Sequence, residues 1–307
     1  MTLSSITRQM SSLSGGRPAH HTNRRSLRKR LRPVLSSMEK IIYGSLELAS
    51  ADIRLRLLRR LALLVRRDLA LQLAASTDGI IQNGNFKGCY LPTEDLRETE
   101  DYFIPKLFGF YEIEIADVIS SAARGKYDLI VNVGCGNGFY AIALAKLAAE
   151  ARIIACDTSA LARSMCQRAA AKNQIANHIE IMHELTPERL HGLLCGVTSA
   201  FILSDCEGYE KILLDPERVP SLTKADLLVE CHDFLDPEIT STLTSRFALT
   251  HSLEKIEESG RNPNSATLIR ERESLIRWLS VCEFRPTRMS WLHIRRKENS
   301  DVVADPT

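Results

Sequence analysis

Hydrophobic positions follow two different spacings along this chain, and the spacing changes near Tyr127. From there on, short apolar runs alternate with segments in which apolar residues recur every three or four positions. The runs predict strands buried on both faces, and the longer segments predict helices. We therefore expect a doubly wound, mostly parallel, Rossmann-like α/β sheet over residues 126–296. The predicted strands are Tyr127–Val133, Ala151–Cys156, His178–Met182, Ser199–Ser204, Ala225–Cys231, Leu249–Leu253 and Met289–Ile294. The predicted helices are Gly138–Glu150, Ser159–Asn173, Pro187–Leu194, Pro237–Phe247 and Ile269–Leu279.

Residues 38–125, before the sheet, are predicted to form a helical extension and a lid. Met38–Ala75 has the spacing of one or two helices, and another helical stretch is expected from about Thr93 to Ala123. Part of the first stretch is amphipathic and basic, with an apolar stripe set apart from most of its arginines. The stripe is Ile53, Leu57, Leu61, Leu64 and Val65, and the arginines are Arg56, Arg59, Arg60, Arg66 and Arg67. We expect the stripe to pack on the domain or on a second subunit in a homo-oligomer. A membrane surface or a nucleic acid is the alternative partner.

Charge is spread unevenly over the 307 residues, whose net charge is +2. Residues 1–38 carry eight Lys and Arg residues and no acid, which leaves 32 basic against 38 acidic residues in the remainder. Residues 1–37 are rich in Ser, Arg, Gly and His, and they are predicted to form a disordered basic tail. An organellar transit peptide is the less favoured interpretation. Residues 297–307 are predicted to be a second tail. Apart from the basic tail and helix, no strong nucleic-acid signal is present.

Eight cysteines are scattered along the chain, and no two of them form a Cys-x-x-Cys pair. Several fall inside apolar, strand-like runs. They are therefore predicted to be buried thiols in a reducing compartment, which favours a cytoplasmic protein. No apolar run approaches the roughly 20 residues that a membrane-spanning helix needs.

A glycine-rich turn, Gly134–Gly138, separates the first predicted strand from the helix that follows it. Glycines allow the backbone to turn tightly and to approach a ligand closely. The free N–H groups at the start of the next helix favour an electron-rich or anionic group. Ligands of open α/β sheets bind at the carboxyl ends of the strands. The candidate cofactor contacts here are Asn132, Gly134, Cys135, Gly136, Asn137 and Gly138.

The residue after this turn distinguishes between two cofactors. The dinucleotide pattern G-x-G-x-x-G needs a third glycine at position 139, where this chain has Phe139. A phosphate-binding loop is excluded because no Gly-Lys-Ser/Thr follows. The spacing G-x-G-x-G instead resembles the first motif of class I methyltransferases that use S-adenosylmethionine (SAM). An NAD(P)-dependent oxidoreductase is kept as the alternative.

An acid at the end of the second predicted strand supports nucleoside binding. Asp157 lies 19 residues after Gly138, and a carboxylate at this place can accept hydrogen bonds from both ribose hydroxyls. Thr158 beside it is a further candidate, and a helix N-cap is the alternative role for Asp157. After the third predicted strand, His183 or Glu184 is placed to meet the adenine amino group. We take Glu184 as the candidate, with a solvated loop as the alternative.

Acidic residues crowd the end of the fourth predicted strand, in the run Asp205-Cys206-Glu207-Gly208-Tyr209-Glu210. Methyltransferases that act on the amino groups of nucleobases or glutamine carry an Asn/Asp-Pro-Pro-aromatic turn here, and this chain does not. The run resembles the D-V-E-G-x-E motif of FkbM-type methyltransferases. The run Leu228–Asp233 is similar to that family's acid-and-histidine strand end, and Gly109–Glu112 is similar to the segment before its first strand. The resemblance covers roughly residues 88–235.

This resemblance implies a seven-stranded methyltransferase sheet with SAM as the cofactor. It also implies methyl transfer to a hydroxyl of a small-molecule or sugar-like acceptor. The candidate catalytic residues are Asp205 near the cofactor or acceptor, and His232 or Glu207 as general base. Tyr111 and Glu112 are expected in a lid over the cofactor. No ligand spacing demands a metal, and none is predicted. A non-catalytic interaction protein with a SAM-type fold is the remaining alternative.

Overall fold

The computed structural model describes residues 40–94, 96 and 102–297. The predicted tails, 1–37 and 297–307, lie outside the described residues except for Lys297. A seven-stranded sheet runs through the molecule in the order β3-β2-β1-β4-β5-β7-β6. Its strands are β1 Leu129–Val133, β2 Arg152–Cys156, β3 Ile179–Met182, β4 Ala200–Ser204, β5 Ala225–Cys231, β6 His251–Glu257 and β7 Ser290–Arg296.

The first five strands are parallel, and β7 pairs antiparallel with both β5 and β6. Because the strand order reverses between β1 and β4, the chain leaves these two neighbours in opposite directions and opens a crevice at their carboxyl ends. The predicted doubly wound, mostly parallel sheet is thus confirmed, and the crevice lies where the glycine turn follows β1. The clearest shift is at β6, which begins at His251 and not at Leu249.

Helices cover both faces of this sheet. Residues 40–48 are helical, and the α-helices whose bounds fall within the described ranges are α1 Ala51–Thr77, α2 Phe103–Phe108, α3 Ala116–Arg124, α4 Phe139–Leu147, α5 Ala160–Lys172, α6 Pro187–Leu194, α7 Glu210–Leu213, α8 Ile239–Phe247 and α9 Ser274–Val281. Short 3₁₀ helices are Ile113–Ile115, Ala176–His178, Pro220–Lys224 and Pro263–Ser265. Every residue of β1 and β4 is buried, because helices cover both faces of these central strands. Apolar side chains on the two sides form two separate core clusters.

Two helix predictions need correction. The stretch expected from Thr93 to Ala123 is not one helix over its described part, since α2 ends at Gly109 in a left-handed conformation (φ 71°). A turn and the short 3₁₀ helix Ile113–Ile115 separate α2 from α3. The helix expected over Ile269–Leu279 begins only at Ser274. Gly109 allows the left-handed turn after α2, and residues 267–271 fold as turns before α9. Apolar residues keep a helical spacing through both segments, so the spacing alone predicts longer helices.

The N-terminal helical segment buries Arg66, which was expected off the apolar face, whereas packing of the apolar stripe on a second subunit stays a prediction. The predicted stripe is exposed: Ile53, Leu57, Leu61, Leu64 and Val65 are 38–58% accessible. Arg66, expected off the apolar face, is fully buried, and its guanidinium donates to the carbonyl of Cys282 (2.7 Å). The side that α1 buries instead consists of Ala62, Arg66, Leu69, Ala70, Leu73 and Ala74. Over the described residues the chain divides into two units, one ending at Leu61 and the other beginning at Ala62, and the sheet belongs to the second.

All eight cysteines are free. Within the described ranges, none of the helices combines the length and the apolar character needed to span a bilayer.

Candidate active site

A cavity of about 480 Å³ opens at the carboxyl ends of the parallel strands. Six of the predicted cofactor contacts line it: Gly134, Gly136, Asp157, Thr158, Glu184 and Asp205. His183, the other candidate after β3, lines it as well, and so does Glu207. The loops after β1, β2, β3 and β4 therefore bring their polar residues to one space, as the carboxyl edge of a parallel sheet requires.

Gly134 is the residue that lets the loops after β1 and β4 meet. Its φ is +72°, and a Cβ atom built on it would lie 1.6 Å from the carbonyl oxygen of Asp205. The Asp205 N–H donates to the Val133 carbonyl (3.0 Å), so the two loops are joined through backbone. No residue with a side chain fits here, because the left-handed backbone and the close approach both exclude a Cβ. Gly138, with φ +87°, then starts α4 against Cys166.

Asp157 closes the opposite side of the glycine turn. One carboxylate oxygen accepts from the Gly136 N–H (2.9 Å), and the other accepts from the Ser159 N–H (2.8 Å). Ser159, not Asp157, caps α5, because its hydroxyl oxygen accepts from the Ala162 N–H. Each carboxylate oxygen has two acceptor sites, so both can still bind ribose hydroxyls. Asp157 thus shapes the turn and faces the cavity.

Several predicted contacts do not line the cavity. Cys135 and Gly138 are buried within the glycine turn, away from the cavity, and Asn132 is buried in β1 with its side-chain oxygen unpartnered among the described residues. The Asn137 side-chain oxygen accepts a hydrogen bond from Lys106 (3.3 Å). The structure therefore separates the turn into two glycines that face the cavity and residues that support it from behind.

His232 is surrounded by carboxylates at the ends of β4 and β5. Its Nδ1 lies 2.5 Å from the Oε1 atom of Glu210, which is fully buried. Its Nε2 lies 3.5 Å from an oxygen of Asp205 and 3.4 Å from an oxygen of Glu207. An oxygen of Glu230 lies 4.0 Å from the same nitrogen. We call these five residues the acid–histidine cluster. The structure brings the three predicted catalytic residues together and adds Glu210 and Glu230, whose roles the sequence did not reveal.

Crowded negative charge changes the proton affinities in this cluster. Loss of hydration and the neighbouring Glu230 raise the pKa of Asp205 well above its usual range. Burial and the charge of Glu112 raise the pKa of Glu230 to about 7, although Arg285 opposes the shift. Burial lowers the pKa of His232, but the hydrogen bond to Glu210 and the nearby carboxylates outweigh it, so the net shift is upward. The cluster therefore holds more negative charge than its own side chains neutralise.

Beside the cluster, two arginines form ion pairs with a second set of carboxylates. Arg285 bonds to Glu112 (2.5 Å), to Glu283 (3.1 Å) and to Glu230. Arg261 bonds to Glu114 (2.5 Å) and to Glu283 (2.8 Å). We call this set the arginine network, consisting of Glu112, Glu114, Arg261, Glu283 and Arg285. The side chains in these contacts are at most 11% exposed. The sequence analysis missed the two arginines because no motif surrounds them.

The two residues expected in a lid are packed behind the glycine turn. Glu112 is only 2% exposed and accepts a hydrogen bond from the Tyr140 hydroxyl (2.5 Å). The Tyr111 ring packs edge-on against Phe139 (5.6 Å between ring centroids). Neither residue lines the cavity. Their placement in a lid over the cofactor stays a prediction, and their observed contacts are those of a buried support.

Lys106 is a buried cation that the sequence analysis also missed. Its ammonium group lies 4.5 Å from the Tyr111 ring centroid and 5.2 Å from that of Phe139. Burial lowers its pKa to about 8. Among the described residues, no carboxylate forms an ion pair with it within 4.0 Å, and its hydrogen bond goes to Asn137. Lys106 thus brings positive charge to the back of the glycine turn.

Asp205, Glu207 and His232 also form a donor set. One ligand atom from each can be chosen so that all three atoms lie within 4.8 Å of one another. Two carboxylates and an imidazole are donors that divalent cations use in proteins. The sequence spacing alone did not demand a metal, because Asp205 and His232 come from different strands.

Comparisons with known proteins give similarity at the level of the fold. Residues 117–205 match the family model described as ribosomal protein L11 methyltransferase (PrmA), which is less than half of the chain. No curated protein sequence matches. An O-methyltransferase from Bacillus cereus, solved with SAH, is 13% identical, with a TM-score of 0.40, over 76% of this chain and 90% of its own. An rRNA methylase from Streptococcus thermophilus is 11% identical, with a TM-score of 0.42, over 61% of this chain and 96% of its own. A ribosomal protein L11 methylase from Lactobacillus delbrueckii subsp. bulgaricus is 17% identical, with a TM-score of 0.38, over 62% and 80%. These likenesses are too distant to assign an acceptor.

Proposed function

We propose that this chain is a SAM-dependent methyltransferase of the FkbM type that methylates a hydroxyl of a small-molecule or sugar-like acceptor. The observation that carries the proposal is the cavity itself. Gly134, Gly136 and Asp157 line one part of it, and Asp205 and Glu207 line another. A nucleoside site and a proton-handling cluster therefore share one space.

In this proposal the cofactor lies across the carboxyl ends of β1 to β4. The Asp157 carboxylate accepts hydrogen bonds from the ribose hydroxyls, and His183 or Glu184 faces the adenine amino group. The sulfonium end points towards Asp205, where crowded carboxylates favour a positive charge. Phe139 supports SAM over a dinucleotide, because its buried side chain fills the place of the third glycine.

Lys106 is assigned to the amino-acid end of the cofactor. Its ammonium group contacts Asn137 in the glycine turn and has no ion-pair partner within 4.0 Å among the described side chains. A buried cation with no carboxylate in direct contact among the described side chains favours an anionic ligand. The carboxylate of the methionine part of SAM is the anionic group that this position suits.

The acceptor hydroxyl is assigned to the acid–histidine cluster. SAM transfers its methyl group by in-line displacement, so the enzyme must orient the acceptor oxygen and help to remove its proton. Glu207 lines the cavity beside Asp205, and the buried His232 contacts both carboxylates without lining the cavity itself. The similarity to the PrmA model ends at residue 205, before Glu207 and His232. It therefore supports the cofactor half of the proposal and does not extend to the acceptor.

Calorimetry with S-adenosylhomocysteine (SAH) and with NAD tests this function. We expect SAH to bind and NAD not to bind. Asp157→Ala should weaken SAH binding by about 10- to 100-fold, since it removes hydrogen bonds to a charged group. Asp128→Ala is the matched control, because Asp128 also accepts from two backbone N–H groups, those of Thr198 and Ser199, but lies at the amino end of β1. NAD binding, or equal SAH binding by both variants, would contradict the proposal.

The assignment of Lys106 has its own test. Methylthioadenosine lacks the amino-acid end of SAH. Lys106→Met should therefore weaken SAH binding by roughly tenfold or more and leave methylthioadenosine binding within about twofold. Equal losses for both ligands would mean that Lys106 only supports the fold of the turn.

A further inference from the structure

The orientation of His232 is fixed from behind by a buried carboxylate. Glu210 is fully buried, and one of its oxygens lies 2.5 Å from Nδ1. A hydrogen bond of this kind places a proton on Nδ1 and leaves Nε2 as the free nitrogen of a neutral ring. The same carboxylate–histidine pairing orients many metal-bound histidines and makes them stronger ligands. His232 is thus held with Nε2 directed at Asp205 and Glu207, two residues that line the cavity.

Two carboxylate oxygens face this nitrogen. They belong to Asp205 and Glu207 and lie 3.5 and 3.4 Å away. When both carboxylates are ionised and the ring is neutral, all three atoms are acceptors, so none of them satisfies another. The Asp205 oxygen is also buried and without a hydrogen bond among the described residues. The group that satisfies all three at once is a cation between them; without one, the same negative field favours a proton on the ring.

The spacing of these atoms suits a divalent cation. Ligands 2.1–2.4 Å from an ion at right angles to one another lie roughly 3.0–3.4 Å apart, and opposite ligands lie about 4.2–4.8 Å apart. The observed separations from Nε2 are close to the first range, and the whole set of ligand atoms lies within 4.8 Å. Because two of the three donors are carboxylates, a Mg²⁺- or Mn²⁺-type ion is favoured.

The site is open on the side where the acceptor is expected. The Glu207 side chain is 76% exposed, whereas that of His232 is 3% exposed. Three protein ligands leave coordination positions free in an octahedral ion, and these face the cavity that Asp205 and Glu207 line. Such an ion can bind an acceptor oxygen directly.

We propose that Asp205, Glu207 and His232 bind a divalent cation that coordinates the acceptor hydroxyl; this rests on the proposed methyltransferase function. The ion stabilises the alkoxide, so the hydroxyl releases its proton to solvent water. The alkoxide oxygen then forms a bond to the methyl carbon. The carbon–sulfur bond breaks, and its electron pair stays on sulfur to give neutral SAH. In this proposal His232 holds the ion and does not abstract the proton of the acceptor hydroxyl.

Titration of the full chain with Mn²⁺, followed by electron paramagnetic resonance of the free ion, tests this site. We expect one Mn²⁺ per chain. Glu207→Gln should weaken its binding by tenfold or more, since it removes a charged ligand from an exposed position where folding is not at risk. Glu217→Gln is the matched control, because Glu217 is an exposed acid outside the cluster. It should bind Mn²⁺ as the wild type does.

The outcomes separate the metal site from the proposed function. SAH calorimetry on the same samples reports on the cofactor site independently. SAH binding without Mn²⁺ binding would overturn the metal site and leave a protonated His232 paired with the two carboxylates. Mn²⁺ binding that Glu207→Gln does not weaken would be adventitious and would also overturn it. Failure of SAH to bind would count against the function itself.

Discussion

Two neighbouring groups of carboxylates in this protein differ in how their charge is balanced. In the arginine network, Arg261 and Arg285 bond to Glu112, Glu114 and Glu283. In the acid–histidine cluster, four carboxylates lie within 4.0 Å of one imidazole, and among the described side chains only Glu230 also contacts an arginine. Every carboxylate of the first group contacts a guanidinium, with two arginines for three acids, whereas the second group has one imidazole for four carboxylates.

The difference indicates what each group does. Buried ion pairs with complete partners cost little once formed and become costly only when one partner is removed. Incompletely balanced charge next to a cavity raises the energy of the protein unless a ligand completes it, and such imbalance is typical of functional sites. We infer that the arginine network stabilises the fold behind the glycine turn. The acid–histidine cluster is inferred to bind a positively charged ion or ligand group.

The largest loss of stability is expected from removing an arginine of the arginine network. Arg285→Met leaves Glu112, Glu230 and Glu283 without that arginine, and it should lower the free energy of unfolding by about 3–5 kcal/mol. Urea denaturation measures this loss. Arg288→Met is the matched control, because the Arg288 side chain is 67% exposed. It should change stability by less than about 0.5 kcal/mol. Equal, small losses in both variants would mean that the network contributes little.

Gly134→Ala should have the next largest effect, at the contact between the two loops that line the cavity. The positive φ and the overlap with the Asp205 carbonyl should together cost about 2–3 kcal/mol. Gly192 in α6 has open space around it, so Gly192→Ala should raise stability by up to about 1 kcal/mol. Thermal unfolding of both variants measures the contrast. A neutral Gly134→Ala variant would show that the loops can separate without cost.

Removing one carboxylate from the acid–histidine cluster should stabilise the protein. Asp205→Asn relieves repulsion from Glu230 and Glu207, so its free energy of unfolding at pH 7 should exceed that of the wild type by up to about 1 kcal/mol. Asp226→Asn is the contrasting variant, because Asp226 accepts from Tyr127 (2.7 Å) and from Arg296 (3.2 Å). It should lower stability. If both substitutions destabilise, the comparison between balanced and unbalanced charge fails.

The smallest effect is in the pH dependence of stability. Burial raises the pKa of Glu114, but hydrogen bonds from Arg261 and from the Ser259 N–H outweigh it and lower the pKa below its usual range. The folded state therefore gains stability above the unfolded-state pKa of about 4.3, and loses it as the pH falls through the folded-state value. Glu114→Gln should remove this contribution. Denaturant midpoints at pH 6 and pH 3 should differ less in the variant; an unchanged difference would contradict this.

The sequence predicted the sheet because strand signals are local. Apolar runs such as those of β1 and β4 are buried on both faces wherever the chain places them. The glycine turn and Asp157 were predictable for the same reason, since each follows directly after a strand. The break at Gly109 was missed because apolar spacing continues through it.

The arginine network was not predictable, because its contacts span the chain. Arg285 bonds to a residue 173 positions away, and Arg261 to one 147 positions away. No short pattern marks such a pair. The acid–histidine cluster was partly predictable, because its members follow two neighbouring strands. Glu210 was visible in the motif, but its support of His232 depends on how the loop after β4 folds back.

We expect the cavity beside Gly134 and Asp157 to bind SAM with its methyl group towards the acid–histidine cluster. A crystal structure of the full chain with SAH tests this most directly. We predict ribose hydroxyls at hydrogen-bonding distance from the Asp157 carboxylate and the SAH sulfur on the side of Asp205. SAH bound elsewhere, or with its sulfur turned away from Asp205 and His232, would contradict the account.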